Sequence, residues 1–211
     1  MVRTLLLWCG VVASLLYAAT DVLAAICYPA YHSFGSRVVS ELMASGAPTE
    51  RLVDPLFLFY NALMIAFAAG LWLSGRRARL TAGLLVAYGA IGCLGPTLFE
   101  MNVRGAGGPP SADILHMALT GVMVLVILAT VATGARLGGR GFRLYSLATI
   151  AIMVLFGVLT SFAAPGLGTG EPTPWIGVLE RINIAAFLAW VVVLAIARLR
   201  AGHTPPLLVA H

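Results

Sequence analysis

The chain has 211 residues, of which 60% are hydrophobic and only 10% are charged, and its net charge is +5. A soluble domain has roughly 45–50% apolar and about 25% charged residues, so this chain has too few charges to cover a water-exposed surface. The composition therefore excludes a soluble enzyme, a disordered chain and a disulfide scaffold. It indicates an all-α, polytopic membrane protein.

Six apolar segments are long enough to cross a membrane as helices, which takes roughly 20 residues each. In chain order they are 4–27, 55–74, 80–100, 113–134, 144–163 and 175–199. They make residues 1–200 a single six-helix membrane domain and leave 201–211 as a short cytoplasmic tail. The first segment also resembles a signal peptide, but its apolar run is longer than a usual signal core, so we expect an uncleaved helix.

Local sequence predicts where three of these helices begin. A capping side chain, in two cases followed by a proline suited to the first turn, occurs at Asp54-Pro55, Ser111 and Thr173-Pro174. Such residues accept hydrogen bonds from the free amide groups of a helix N-terminus. We therefore expect side-chain caps on the second, fourth and sixth helices.

The longest loop, 28–54, is predicted to contain a short amphipathic helix. Ser36 would cap it, and Gly46 with Pro48 would end it. One face of this helix would carry the apolar residues Val38, Val39, Leu42 and Met43. The segment would lie on the outer membrane interface or cover the bundle as a lid, either as a structural plug or as a substrate gate.

The arginines predict the orientation of the bundle. One side has nine arginines and no acid: Arg3, Arg76, Arg77, Arg79, Arg136, Arg140, Arg143, Arg198 and Arg200. The other side has four arginines and seven of the eight acids. The positive-inside rule then places both termini in the cytoplasm, and we expect a bacterial inner membrane. Since these arginines lie in short loops, they serve topology, and no nucleic-acid partner is expected.

Asp21 is the strongest candidate for a functional ionisable residue. It lies inside the first apolar run, where a charge costs about 2.5–3.5 kcal/mol on insertion scales. It would either fasten helices through an arginine or hydroxyl, or bind a ligand or proton. In the sixth helix, Glu180 and Arg181 are adjacent, so their side chains point about 100° apart and do not pair.

A second candidate group lies around the start of the fourth helix. Asp113 and His116 are three residues apart and share a helix face, which suits two metal ligands or a carboxylate that orients an imidazole. Alternatively, Asp113 complements the helix dipole and His116 is an interfacial residue. Glu100, at the end of the third helix, is either solvated or turned inward. No metal is assigned, and the sequence identifies no cofactor.

These ionisable residues all fall near the outer ends of their helices or in the outer loops. We therefore predict one polar site near the outer leaflet. Its catalytic acid–base residues would be Asp21, His116 and Glu180. Its ligand-binding residues would be Glu41, Glu100, Arg104, Asp113 and Arg181.

Three short motifs resemble a known family. The segment Ser40-Glu41-Leu42-Met43-Ala44-Ser45-Gly46-Ala47-Pro48, followed by Leu56-Phe57, resembles the pattern "SELGA…P…LF" of a bacterial membrane protein family, the domain-of-unknown-function family numbered 998. The steps Asp113-Ile114-Leu115-His116 and Leu179-Glu180-Arg181-Ile182 are similar to its later segments. The resemblance implies a six-helix bundle and supplies no reaction. Met43 stands where the family usually has glycine.

Three functions are compatible with these features. The first is binding or modifying a lipid-like or other hydrophobic small molecule, which predicts a sealed cytoplasmic half and an apolar cavity beneath the lid. The second is a non-catalytic subunit or assembly factor that works with other membrane subunits, which predicts that Asp21 pairs directly with Arg181 or Arg104. The third is a small-solute transporter, which requires a path through the cytoplasmic half.

Overall fold

The structure is a computed structural model that describes residues 1–98, 100–106, 108–169 and 171–201. Apart from Ala201, the predicted tail lies outside these residues. Within them the fold is all-α, with the helices α1 (Val2–Cys27), α2 (Glu50–Trp72), α3 (Arg79–Leu98), α4 (Pro110–Gly134), α5 (Arg140–Ala163), α6 (Pro165–Thr169) and α7 (Ile176–Ala201). All of these except α6 belong to segments long and apolar enough to cross a membrane, so the six-helix membrane bundle is confirmed.

The three predicted N-terminal caps are wrong. Helix α2 begins at Glu50, so Asp54 and Pro55 lie inside it. Gly46 takes a left-handed backbone with φ of 82°, and its amide donates to the Glu50 carboxylate at 2.7 Å in the first turn of the helix. Ser111 lies within α4, which starts at Pro110 with no side-chain cap.

Thr173 does not cap a helix either. Helix α7 begins three residues later, at Ile176. The Thr173 hydroxyl instead donates a hydrogen bond to the carbonyl oxygen of Ser36 at 3.3 Å. It also accepts a hydrogen bond from Arg104 at 2.8 Å. A tertiary contact therefore overrides the local capping preference.

The predicted amphipathic helix of the first loop is shorter than expected. It is a 3₁₀ helix of five residues, Val39–Met43, and Ser36 does not cap it. Its residues Val39, Glu41 and Leu42 are at most 1% exposed, so the segment is inserted among the long helices. This placement corresponds to the plug or lid and differs from a helix lying on the membrane interface.

The six long helices form a ring in the order α1, α2, α3, α4, α5 and α7, with α7 returning to α1. We call the end with the 3₁₀ turns Arg76–Ala78 and Ala135–Leu137 the arginine end. We call the opposite end, which carries residues 28–49, 100–106 and 171–175, the loop end.

The arginine end is closed by large apolar side chains. Trp190 of α7 is fully buried there, and its indole N–H donates to the Ser146 hydroxyl of α5 at 2.9 Å. Gly134 allows α4 to approach the Trp190 ring, because a Cβ atom at that position would overlap it. The buried residues Leu7, Phe67, Leu71 and Leu194 complete this part of the core.

Helices α4 and α5 are buried only toward the arginine end. In α4 the buried residues are Thr130, Val131 and Gly134, and in α5 they are Ser146, Thr149 and Met153. The remaining parts, 110–129 and 154–163, contain no buried residue. Helices α1, α2 and α7 are buried along their length. The bundle is therefore packed throughout on the α1–α2–α7 side and loosely packed on the α4–α5 side at the loop end.

Candidate functional site at the loop end

Asp21 lies on the buried face of α1 and is 8% exposed. Its carboxylate accepts two hydrogen bonds from Arg181 of α7, from Nε to Oδ2 at 2.7 Å and from Nη2 to Oδ1 at 2.8 Å. The His32 Nε2 atom lies 2.9 Å from the same Oδ1. A carboxylate oxygen can only accept, so we assign the proton to Nε2 of His32. These three residues form the Asp21 network.

Arg181 also fastens the first loop to α7. Its Nη1 atom donates to the backbone oxygen of Arg37 at 2.7 Å and to that of Phe34 at 3.3 Å. Gly177, one turn earlier, donates its amide to the Gly35 oxygen at 2.8 Å. A Cβ atom at Gly177 would lie 2.5 Å from the Arg37 oxygen, so only glycine allows the loop to approach this closely.

Glu41 of the 3₁₀ helix is fully buried and is the centre of a second cluster. Arg104 binds it with both arms of the guanidinium, from Nε to Oε1 at 2.8 Å and from Nη2 to Oε2 at 2.7 Å. Arg37 donates to Oε1 at 3.1 Å, and the Val38 amide donates to Oε2 at 2.9 Å. With Thr173 bound to Arg104, these residues form the Glu41 network, which joins the first, third and fifth loops.

Tyr31 supports the Glu41 network from the side. Its hydroxyl donates to the Glu41 backbone oxygen at 2.9 Å, and the Arg37 guanidinium lies 4.1 Å above its ring. Burial raises the pKa of the Tyr31 phenol, and the nearby positive charge of Arg37 acts in the opposite direction. The ring therefore holds Arg37 in place by a cation–π contact while the hydroxyl stays protonated.

Glu180 faces the interior of the bundle. It lies on the same face of α7 as Ile184, Phe187 and Val191, and the last two are buried. One carboxylate oxygen, Oε2, accepts a hydrogen bond from the Val39 amide. Within the described residues, Glu180 forms no ion pair with Arg181, which binds Asp21 instead, as the sequence predicted. Glu180 is half-buried, and a hydrogen-bond partner is described only for Oε2, which accepts from the Val39 amide.

Asp113 and His116 belong to a separate part of the loop end. The Asp113 carboxylate accepts hydrogen bonds from Asn102, from the backbone amide at 2.9 Å and from the side-chain amide at 3.1 Å. Half-buried His116 has no described contact with Asp21 or Glu180. Over the described ranges, no three histidine, cysteine, aspartate or glutamate residues are grouped as metal ligands. The catalytic trio of Asp21, His116 and Glu180 stays a prediction.

The structure thus brings some of the predicted residues together and separates others. Asp21, Glu41, Arg104, Glu180 and Arg181 all converge on the first loop. Glu100 is exposed just after α3, and Asp113 orders the turn before α4. Sequence reasoning did not assign site roles to His32, Arg37, Thr173 and Gly177. The signal in the sequence was their position: His32 and Arg37 lie in the loop after Asp21, and Thr173 and Gly177 lie just before Glu180.

Comparison with known proteins places the chain in a family. No curated protein and no solved structure matches it. The family described as "Protein of unknown function (DUF998)" matches residues 11–197, which extend from α1 into α7. Because this match covers most of the chain, the resemblance seen in the three short motifs is confirmed, and the protein belongs to the DUF998 family of unknown function.

Proposed function

We propose that the protein binds a lipid-like or other hydrophobic small molecule in the loop-end half of its bundle. The observation that carries this proposal is the uneven burial of α4 and α5. Their parts 110–129 and 154–163 contain no buried residue, whereas Trp190 closes the arginine end. An apolar ligand between these two helices would find apolar walls and a closed floor, as ligand sites between helices of a bundle require.

The polar end of the ligand would meet Glu180. Arg104 already donates through Nε, Nη1 and Nη2 to protein oxygens, and Arg181 does the same. The three arginines of the loop networks are matched by three carboxylates: Asp21, Glu41 and Glu180. We therefore infer that the ligand has a hydrogen-bond donor, such as a hydroxyl group, at its polar end, rather than an anionic headgroup.

A role as a non-catalytic membrane subunit or assembly factor is the second candidate. It is favoured by the direct contact between Asp21 and Arg181, which is the pairing that this hypothesis predicted. In that case the polar networks serve only to hold the first loop on the bundle. Small-solute transport, the third hypothesis, would need a path past the fully buried Trp190.

The proposed orientation places the arginine end in the cytoplasm and the loop end outside, in a bacterial inner membrane. Its support is the separation of charge, since no acid lies between Asp113 and Glu171 or elsewhere near the arginine end. Positively charged loops remain on the cytoplasmic side during insertion. The proposed ligand would therefore enter from the outer leaflet.

Native mass spectrometry of the protein released from mild detergent tests the proposal, with metal analysis on the same sample. The test variant is Glu180→Gln, which keeps an acceptor for the Val39 amide and removes the charge. The control is Glu171→Gln, the same change at an exposed position of the same end. We expect a bound hydrophobic molecule in the wild type and the control, and its loss in Glu180→Gln with folding unchanged.

Three results would contradict the proposal. Wild-type protein without any bound hydrophobic molecule would show that the proposed site does not bind one. Equal loss of the bound molecule in Glu180→Gln and Glu171→Gln would show that Glu180 does not contact it. If the chain is recovered only with a second polypeptide, the subunit hypothesis replaces the binding hypothesis. Thermal unfolding of both variants shows whether a lost ligand reflects a lost fold.

A further inference from the structure

A cleft of about 330 Å³ lies between α4 and α5 at the arginine end, opposite the networks described above. It is formed where α4 passes into the 3₁₀ turn Ala135–Leu137 and α5 begins. Its lining consists of Ala132, Ala135, Arg136, Arg143, Leu147 and Ile150. The cleft thus combines two guanidinium groups with apolar walls.

Arg136 and Arg143 differ from Arg79 and Arg198, which belong to the same end. Both are exposed, and neither guanidinium group has a hydrogen bond or ion pair within the part of the chain that the structure describes. Arg198, by contrast, donates to the backbone oxygens of Leu137 and Ser74, and Arg79 lies over the Trp72 ring. The two arginines of the cleft therefore keep their full hydrogen-bonding capacity for an external group.

Among the described residues, none that lines this cleft is an acid. Between Asp113 and Glu171 the sequence contains no acidic residue, and α5 has none in its first turn. The positive end of the α5 dipole adds to the field of the arginines. Two nearby guanidinium groups repel each other unless an anion lies between them, and they match the geometry of a phosphate.

The apolar walls distinguish a lipid from a soluble phosphate. Leu147 is exposed and Ile150 is half-buried on α5, a helix long and apolar enough to span the membrane. An acyl chain can lie against these side chains while its phosphate group meets the arginines. Basic pockets between membrane helices bind lipid headgroups in this way.

We propose that the cleft between α4 and α5 at the arginine end binds the phosphate group of an anionic membrane lipid through Arg136 and Arg143. The acyl chains lie along Leu147 and Ile150. This site is independent of the proposed loop-end ligand, since it lies at the other end of the bundle and uses different residues. The proposal gives Arg136 and Arg143 a role in lipid binding, in addition to the role in membrane orientation proposed for all arginines at this end.

The test measures lipid retention by native mass spectrometry after incubation with phosphatidylglycerol, with phosphatidylcholine, and with diacylglycerol, which has no phosphate. The test variant is the double substitution Arg136→Gln/Arg143→Gln. Its matched control is Arg76→Gln/Arg77→Gln, which removes the same charge from exposed arginines of the same end that do not line the cleft. A third arm adds inorganic phosphate as a competitor.

We expect the wild type and the control to retain phosphatidylglycerol in preference to the other two lipids. The test variant should lose about tenfold or more of this retention, as removal of charge-assisted phosphate contacts does. Equal loss in both double variants, or equal retention of diacylglycerol, would overturn the proposal. Displacement of the lipid by inorganic phosphate would reassign the cleft to a soluble phosphate. We expect the test variant to retain the loop-end ligand, because that ligand is bound by different residues at the other end of the bundle.

Discussion

Arg181 of α7 holds Asp21 of α1 by two parallel hydrogen bonds, of 2.7 and 2.8 Å, across 160 positions of sequence. The same guanidinium donates to backbone oxygens of the first loop, so one side chain joins the first long helix, the last long helix and the loop between α1 and α2. Bidentate contacts of this kind combine energy with fixed geometry. The pair therefore joins α1, α7 and the first loop at the loop end.

Asp21→Asn is expected to destabilise the protein. The side chains of Asp21 and Arg181 are only 12% and 16% exposed, so the substitution leaves a nearly buried guanidinium without its counter-charge. Removal of one partner from a buried pair typically costs about 3–5 kcal/mol. Thermal unfolding in detergent should show a lower Tm than in Glu171→Gln, an exposed control.

A double-mutant cycle separates this pair from its surroundings. The variant Asp21→Asn/Arg181→Gln should lose less stability than the sum of its two single variants, because neither partner is then left as an unpaired charge. Strict additivity would show that the two residues do not stabilise each other. Preserved Tm in Asp21→Asn together with loss of a bound molecule would indicate instead that Asp21 belongs to the ligand site.

Arg104→Lys is expected to loosen the first loop although it keeps the positive charge. Arg104 uses three nitrogens to reach Glu41, Thr173 and the Ser36 carbonyl, and an ammonium group cannot reproduce this planar arrangement. We expect a loss of about 1–3 kcal/mol and faster proteolysis within residues 28–49. Arg51→Lys, at an exposed position, is the control. Equal cleavage rates in the two variants would contradict a role of Arg104 in holding the loop.

Gly177→Ala is expected to push the first loop away from α7. The added methyl group would lie within 2.8 Å of the Arg37 and Phe34 oxygens and of the Arg181 guanidinium, and overpacking of this kind costs about 1–3 kcal/mol. Gly121→Ala in α4 is the matched control, because a Cβ atom there meets nothing within 4 Å.

The control substitution should leave stability unchanged or increase it, since alanine favours a helix over glycine by about 1 kcal/mol. Thermal unfolding and hydrogen exchange of residues 33–38 measure the effect. If Gly177→Ala and Gly121→Ala behave alike, the close approach of the loop to α7 does not contribute to stability.

The long helices could be predicted from the sequence because a membrane span requires only length and low polarity. Asp21 could be singled out for the same reason, as a carboxylate inside an apolar run. Its choice of Arg181 over Arg104 could not be predicted, because both arginines are near the loop end and only packing decides between them. The predicted cap at Asp54 is wrong because α2 already begins at Glu50, whose carboxylate accepts from the Gly46 amide, and the cap at Thr173 is wrong because its hydroxyl binds Arg104 of another loop.

Trp190→Ala is expected to open the core at the arginine end. The indole is fully buried, packs against Phe187 and donates to Ser146, so its removal leaves a cavity and takes away the hydrogen bond that the Ser146 hydroxyl accepts. Truncation of a buried tryptophan typically costs about 3–5 kcal/mol. Trp175→Ala is the matched control because Trp175 is 70% exposed at the loop end. Chemical unfolding should give a clearly lower free energy of unfolding for Trp190→Ala than for Trp175→Ala. Equal stability of the two variants would show that Trp190 does not close this end. The solute-transport hypothesis would then have the open path that it requires.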